Sequence, residues 1–334
     1  MNVIGIDVGG TKIESVLFET GGRPSRTERY KADLLSGKDI YLSVRDRIRV
    51  STEREQGYVS MLQKVAQSIR KMCEKASLHV KDIDGIGIGL PGAVDPIEQS
   101  MIMGNTIAFV GKKIRDDLAK KLSYKGPVYC ENDANCFAYA ESLCGVGRDY
   151  AKKFMVPIEK QISLGIILGT GVGGGIIVNG KIVSGRGGGA GEIGHTQLHS
   201  RGAPCYCGRD GCAEQYLSGP AIEAMFASRI YHQIRERPSS QEIFEVLYKN
   251  LDPIAIAVVK RYKRDLAKFI GNISNVLDPH YIVFGGGVSR QQEIYDDLQE
   301  KVLSHRFISG KGPQIYKHKI GDAAGALGAA LLCI

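Results

Sequence analysis

The run Leu168-Gly169-Thr170-Gly171-Val172-Gly173-Gly174-Gly175 closes an apolar stretch, Ile162 to Leu168, and it echoes Asp7-Val8-Gly9-Gly10-Thr11-Lys12, which closes another, Asn2 to Val8. Each reads as a short buried strand that empties into a turn of glycine and threonine. Glycine turns let backbone N–H groups approach phosphate oxygens, and a strand-end carboxylate such as Asp7 can reach the hydration shell of a phosphate-bound Mg²⁺. Two such units in one chain suggest two related halves serving one polyphosphate. The plain alternative for the first is a hairpin with Gly-Gly at its turn, because the second strand, Ile13 to Phe18, follows at once. Short glycine patterns do not decide between these readings.

Downstream of the second run come Gly191-Glu192-Ile193-Gly194-His195 and then Cys205-Tyr206-Cys207-Gly208-Arg209-Asp210-Gly211-Cys212-Ala213-Glu214. His195, Cys205, Cys207 and Cys212 have the spacing H-x9-C-x-C-x4-C. One imidazole and three thiolates complete a tetrahedral Zn²⁺ site. Gly208 and Gly211 permit the tight turns that let such near neighbours share one ion. C-x-C is not the usual redox spacing. His199 fits the ligand pattern less well than His195. The second ring nitrogen of His195 is then available to face a substrate.

Elsewhere the chain alternates strands and helices. Val59 to Ala76 has the spacing of an amphipathic helix, with Cys73 as a small core residue. Ile83 to Gly89 reads as a buried strand stopped by Leu90-Pro91-Gly92, and Asn105 follows in a loop where asparagine is ordinarily a turn former. Pro127 to Cys130 is a strand running into Glu131-Asn132-Asp133-Ala134-Asn135, with a helix over Ala134 to Leu143. Asn132 and Asp133 suit a helix N-cap, and equally a carboxylate poised at a strand end as a base over a bound hydroxyl. Ile254 to Leu277 is a long periodic helix. Tyr281 to Phe284 is a strand leading to Gly285-Gly286-Gly287, a glycine loop expected to open a helix and hold a nucleoside or its phosphates. Ala323 to Leu332 is a helix of small residues suited to close packing. Residues 21 to about 56 are polar and charged, and are expected to leave the sheet as an arm or an oligomer contact.

The chain has 334 residues, 43% of them hydrophobic, which is enough for two domains with sizeable cores. The net charge is +8. Lysine and arginine are interleaved with acids and form no basic stripe with aromatics, so nucleic acid is not expected as a partner. No apolar run is long enough for a transmembrane helix, and residues 1–20 lack the apolar core of a signal peptide. Eight cysteines then point to thiols or a metal site in a cytoplasmic protein, not to a disulfide scaffold.

Taken in order, these motifs resemble the ROK family (repressors, open reading frames and sugar kinases), over the whole chain apart from roughly residues 21–48. The resemblance implies an α/β fold, the two-domain actin/hexokinase-like ATPase fold with a cleft between its domains. Residues 1–126 would form the smaller domain, 127–322 the larger one with the zinc-binding loop, and the helix at 323–334 would pack back on the first. It implies an ATP-dependent kinase acting on the 6-hydroxyl of a hexose, with ATP, Mg²⁺ and a structural Zn²⁺. Asp133 would be the general base. Asn105, Asn132, Asp133, Glu192, His195 and Glu214 would bind the sugar. Asp7, Gly9, Gly10, Thr11 and Lys12 would form the first phosphate loop, and Gly169, Thr170 and Gly171 the second. Gly285 and Gly286 would lie near the adenosine, and His195, Cys205, Cys207 and Cys212 would hold the zinc. A homodimer or higher homo-oligomer is expected. Many relatives that phosphorylate glucose or fructose carry Trp three residues after the Asn that aligns with Asn105. Here that position is Ala108, which leaves room for a 2-acetamido group and favours N-acetylglucosamine, with glucose next and fructose or mannose as alternatives. A sugar-responsive repressor is disfavoured because Asp7 leaves no space for a preceding DNA-reading domain. A non-catalytic sugar sensor would keep the sugar residues and consume no ATP.

Overall fold

The computed structural model describes residues 1–21, 28–34, 39–104, 106–229 and 238–334. These divide into two compact units. The first comprises Met1–Gln161, Gly175–Gly191 and Lys319–Ile334, and the second Ile162–Gly174 and Glu192–His318.

The first unit is built on a six-stranded sheet of order β3-β4-β2-β1-β5-β8. Its strands are β1 (Asn2–Val8), β2 (Lys12–Thr20), β3 (Arg29–Asp33), β4 (Asp39–Ser51), β5 (Gly85–Leu90) and β8 (Val128–Asn132). A small hairpin, β6 (Gly92–Val94) with β7 (Met101–Gly104), stands apart. β1 pairs antiparallel with β2, and β1, β5 and β8 run parallel. Burial on both faces explains this: Ile4, Ile6, Val8, Ile86 and Ile88 are buried on one, and Val3, Gly5, Gly85 and Gly87 on the other. Helix α1 (Gly57–Lys75) buries Met61, Val65, Ile69, Met72 and Cys73 along one stripe, as its periodicity predicts. Helices α2 (Ile114–Leu122), α3 (Asp133–Cys144) and α4 (Val146–Phe154) complete the layers.

The polar stretch after residue 21 departs from expectation. Where described, it does not leave the sheet. β4 pairs with β2 from Lys12↔Ser51 to Thr20↔Leu42, and β3 forms the sheet edge. The charges that suggested an arm are cross-strand partners. Glu14 of β2 is buried, and its carboxylate accepts from Arg49 Nε at 2.8 Å and lies 3.3 Å from Arg47 Nε. Asp46 pairs with Lys75 of α1 at 2.5 Å. A strand whose polar side chains are neutralised by its neighbour needs no continuous apolar face.

The second unit holds the parallel strands β9 (Ile162–Leu168), β12 (Tyr281–Gly285) and β13 (Gln314–Lys317), with the start of β10 (Val172–Val178) beside β9. The short helices α5 (Glu214–Leu217), α6 (Gly219–Ala227) and α7 (Ser240–Glu242, continued by a π-helical turn Ile243–Tyr248) lead to α8 (Pro253–Leu277). α8 starts on the Asp252 cap, whose Oδ1 accepts from the amides of Ile254 and Ala255, with Pro253 in the first turn. It buries Val258, Val259, Tyr262, Leu266, Phe269 and Ile270. α9 (Leu298–Leu303) packs on α8.

The chain then returns to the first unit. β10 runs on from Gly175 and pairs with β11 (Lys181–Ile182). The last helix, α10 (Ala324–Leu331), lies against β1, β5 and α3. Its small residues meet glycines on the sheet: a Cβ on Gly5 would stand 1.8 Å from the Ala326 carbonyl oxygen, and one on Gly87 1.8 Å from that of Ala329. The helix and strands touch backbone to backbone there, which only glycine allows.

Candidate active site

In the first unit, the β1–β2 turn closes with the Gly9 amide donating to the Lys12 carbonyl at 2.9 Å, leaving Gly10, Thr11 and Lys12 exposed. A residue that sequence reasoning missed holds this loop. Thr52, fully buried, donates its hydroxyl to the Gly9 carbonyl at 2.7 Å and its amide to the Thr11 carbonyl at 2.9 Å. Asp7 ends β1 opposite Glu14. Burial, helped by the Glu14 charge and opposed by Lys12, pushes its carboxyl up to about 6. Gly325 of α10 lies against it, and a Cβ there would sit 2.6 Å from the Asp7 carboxyl. The carboxylate is thus held in a tight seat where a divalent cation would offset its cost.

At the end of β8, Asn132 is the N-cap of α3. Its Oδ1 accepts from the amides of Ala134 at 2.8 Å and Asn135 at 3.1 Å, and its Nδ2 donates to the Gly92 carbonyl at 3.1 Å. Asn132 therefore has a structural role, and its second Nδ2 hydrogen remains for a ligand. Asp133 opens the helix, its Oδ1 accepting from the Ala134 amide at 2.8 Å. A carboxylate there is favoured by the helix dipole. Glu131, also unforeseen, ties the turn together. Its Oε1 accepts from the Asn132 amide and Asn135 Nδ2, and its Oε2 from the Ser184 hydroxyl. Asn105 lies outside the described residues.

In the second unit, the Gly169 amide donates to the Gly171 carbonyl at 3.0 Å, and the Gly219 amide, at the start of α6, donates to the Gly169 carbonyl at 2.8 Å. Glu214, buried at the start of α5, accepts from the Val172 amide at 2.9 Å. The candidate sugar carboxylate thereby also braces the exit of the glycine loop. Glu192 precedes a 3-10 turn, Ile193–His195. Desolvation raises its pKa, with Glu214 adding to the effect and His195 opposing it. Gly285 ends β12, and Gly286, at φ 83°, abuts the Leu168 carbonyl, where a Cβ would come within 2.3 Å. The glycines open a 3-10 turn, Val288–Arg290, and not the α-helix expected. Gly286 brings the two strand ends of this unit together.

The metal-type cluster assembles as its spacing predicts. One ligand atom each from His195, Cys205, Cys207 and Cys212 lies within 4.8 Å of all the others. His195 Nδ1 is 3.6 Å from Cys205 Sγ, and Cys207 Sγ is 3.6 Å from Cys212 Sγ. A tetrahedral Zn²⁺ with ordinary bond lengths needs about 3.6 Å for N···S and about 3.8 Å for S···S, so the residues fit zinc. For the Cys207 thiol, desolvation works upward, but hydrogen bonds from Arg209, Cys205 and Cys212 outweigh it and pull the pKa down to about 6. Desolvation and its thiol neighbours push Cys212 up to about 12. A bound cation would hold the cysteines as thiolates. His195 turns its other nitrogen, Nε2, outward to the Tyr206 hydroxyl at 3.0 Å. Tyr206 sits between two ligand cysteines, which was the available signal for it. His199 stands outside the cluster, 3.2 Å from the buried Asp265 of α8.

The chain matches the family model described as "ROK family" over residues 3–334. It is 35% identical to an N-acetyl-D-glucosamine kinase of Yersinia pseudotuberculosis, over 98% of this chain and 97% of that one. Among solved structures it is similar to a ROK hexokinase from Thermus thermophilus, with a TM-score of 0.74 and 27% identity over 99% of this chain and 97% of that one. It also has the fold of a ROK-family glucokinase from Streptomyces griseus solved with glucose and AMPPNP, with a TM-score of 0.77 and 24% identity over 99% of each chain.

Proposed function

The chain belongs to the ROK family, with the actin/hexokinase-like ATPase fold, and on that footing we propose that it is an ATP-dependent sugar kinase that phosphorylates the 6-hydroxyl of N-acetylglucosamine. The observation that carries this reading is the full-length similarity to N-acetyl-D-glucosamine kinases. The local geometry supports it. Phosphoryl transfer asks a protein for positioning and charge neutralisation more than for covalent chemistry. Asp133, held at a helix start by the Asn132 cap, accepts the proton of the attacking 6-hydroxyl. A carboxylate suffices, because that proton leaves late in a loose transition state.

Glu192, His195 and Glu214 hydrogen-bond sugar hydroxyls, joined by Asn132 and Asn105. The amides of Gly10 and Thr11, and of Thr170 and Gly171, receive phosphate oxygens, those of Gly9 and Gly169 closing their own turns, and Gly285 and Gly286 border the adenosine. Mg²⁺, when bound, neutralises phosphate charge, and Asp7 is the carboxylate placed to hold its water shell. Zn²⁺ is held by His195, Cys205, Cys207 and Cys212 and fixes His195 in the tautomer whose Nε2–H points outward. Ala108, partly buried against the core of the first unit, stands where bulkier relatives carry Trp and leaves space for an acetamido group. The chain acts in the cytoplasm as a homo-oligomer, which sedimentation would test.

The test is a coupled assay of ATP consumption over N-acetylglucosamine, glucose, mannose and fructose. N-acetylglucosamine should give the highest kcat/KM, and strong preference for fructose would refute the assignment. Asp133→Asn should lower kcat by about 1,000-fold or more with sugar binding largely kept. Near-normal turnover would remove Asp133 from the base role. No sugar-dependent ATP consumption at all would leave the sensor reading in its place.

A further inference from the structure

We propose that Arg54, in the stretch to which no motif assigns a role, is a phosphate ligand of the nucleotide at the first glycine loop. Thr52, through its two hydrogen bonds, fixes this stretch beneath Gly9 and Thr11. The next residue, Glu53, takes the left-handed conformation, φ 43° and ψ 55°, which a side chain other than Gly, Asn or Asp rarely adopts. Its carboxylate is committed to Lys64 at 2.7 Å and Gln56 at 2.6 Å. This sharp reversal delivers Arg54 at the start of a 3-10 turn, Arg54–Gln56. Its terminal Nη1 lies 3.9 Å from the point where a Cβ on Gly10 would stand. The guanidinium is therefore beside the exposed apex of the loop.

The neighbouring arginines are otherwise engaged. Arg47 and Arg49 neutralise Glu14, and Arg45 reaches Glu19 and the Ala76 carbonyl. Among the described residues Arg54 has no hydrogen-bond or ion-pair partner, and it is exposed. An unpaired guanidinium on a strained turn, next to backbone amides that themselves accept an anion, is a fork for phosphate oxygens. Together with Lys12 it flanks the loop with two positive charges. Asp7 alone would repel an unaccompanied polyphosphate, and Arg54 offsets that repulsion at the same loop.

The role rests on the kinase reading, and the experiment separates the two. Arg54→Ala and Arg54→Lys are made in the full chain. ATP kinetics are measured at saturating N-acetylglucosamine, and binding of ADP and of adenosine by calorimetry. Arg54→Ala should lower kcat/KM for ATP by about 100-fold and ADP affinity by about 10-fold. Adenosine affinity, the KM for sugar and the melting temperature should stay at wild-type values. Arg54→Lys should recover part of the loss, because it restores the charge without the fork. The proposal is overturned if Arg54→Ala stays within about three-fold of wild type in both ATP kcat/KM and ADP affinity. It is equally overturned if adenosine binding falls as much as ADP binding, which would mark a structural role. If the wild-type chain phosphorylates no sugar, the kinase reading fails, and the ADP-against-adenosine comparison still decides Arg54.

Discussion

The two glycine loops look alike in sequence and are braced differently. Gly9-Gly10-Thr11 is held from below by Thr52, a neutral hydroxyl and an amide that have no other task. Gly169-Thr170-Gly171 is held by the Gly219 amide, and its exit by Glu214, a carboxylate with a second role in sugar binding under the proposed function. A brace without other duties transmits nothing. A brace that is also a ligand couples two substrates, because whatever moves Glu214 moves the Val172 amide and the loop before it. The first loop should therefore answer to the nucleotide alone, and the second to nucleotide and sugar together.

The sharpest way to break that contrast is Glu214→Ala. It removes a sugar contact and leaves the buried Val172 amide without an acceptor, a loss of about 1–3 kcal/mol in itself. We expect kcat/KM to fall by about 1,000-fold for sugar and for ATP alike, as steady-state kinetics with each substrate varied will show. A fall confined to the sugar would mean that the brace is not coupled. Next in size is metal removal. A chelated, zinc-free chain should lose stability and sugar affinity together, because the cluster holds His195 and, through Cys212-Ala213-Glu214, the second loop. ADP affinity should change less. Full sugar affinity without metal would end the staple role. Thr52→Val should be smaller still. It loses one hydrogen bond, worth about 1 kcal/mol, and should raise the KM for ATP by about five-fold with the sugar KM untouched.

A last effect is read in stability and its pH dependence. Asp7 has its folded pKa raised to about 6 from 3.8. The folded chain therefore binds more protons than the unfolded chain between those values. The cost is absent below about pH 4 and is fully present above about pH 6 in metal-free protein. Asp7→Asn should then melt higher than wild type at pH 7, by on the order of 1–3 kcal/mol, and no higher at pH 4, while its turnover falls. Equal melting temperatures at both pH values would show that the seat is not strained.

Much of this was legible because it is local. α1, α3 and α8 follow from apolar periodicity and caps, and β9 was read to the residue. The cysteine cluster follows from spacing alone. What could not be read depends on partners far along the chain. Thr52 meets Gly9 43 residues away. β4 looked like a polar arm because Glu14, which neutralises its arginines, lies on another strand. Gly325 carries no sign in its own neighbourhood that it faces Asp7. Tyr206 was legible in principle, since a residue between two ligands of one ion has little choice of position.

The placement of α10 also bears on how the chain comes into being. The first glycine loop leaves the ribosome before the second unit, yet the helix that seats Asp7 through Gly325, and that covers Gly5 and Gly87, follows that unit. The first unit must wait, its sheet uncovered on that side, while the whole of the second unit is synthesised and free to fold. Nascent chains of this protein should thus carry a finished cysteine cluster before they carry a finished first glycine loop, and nonsense products ending before Lys319 should expose apolar sheet that chaperones would capture.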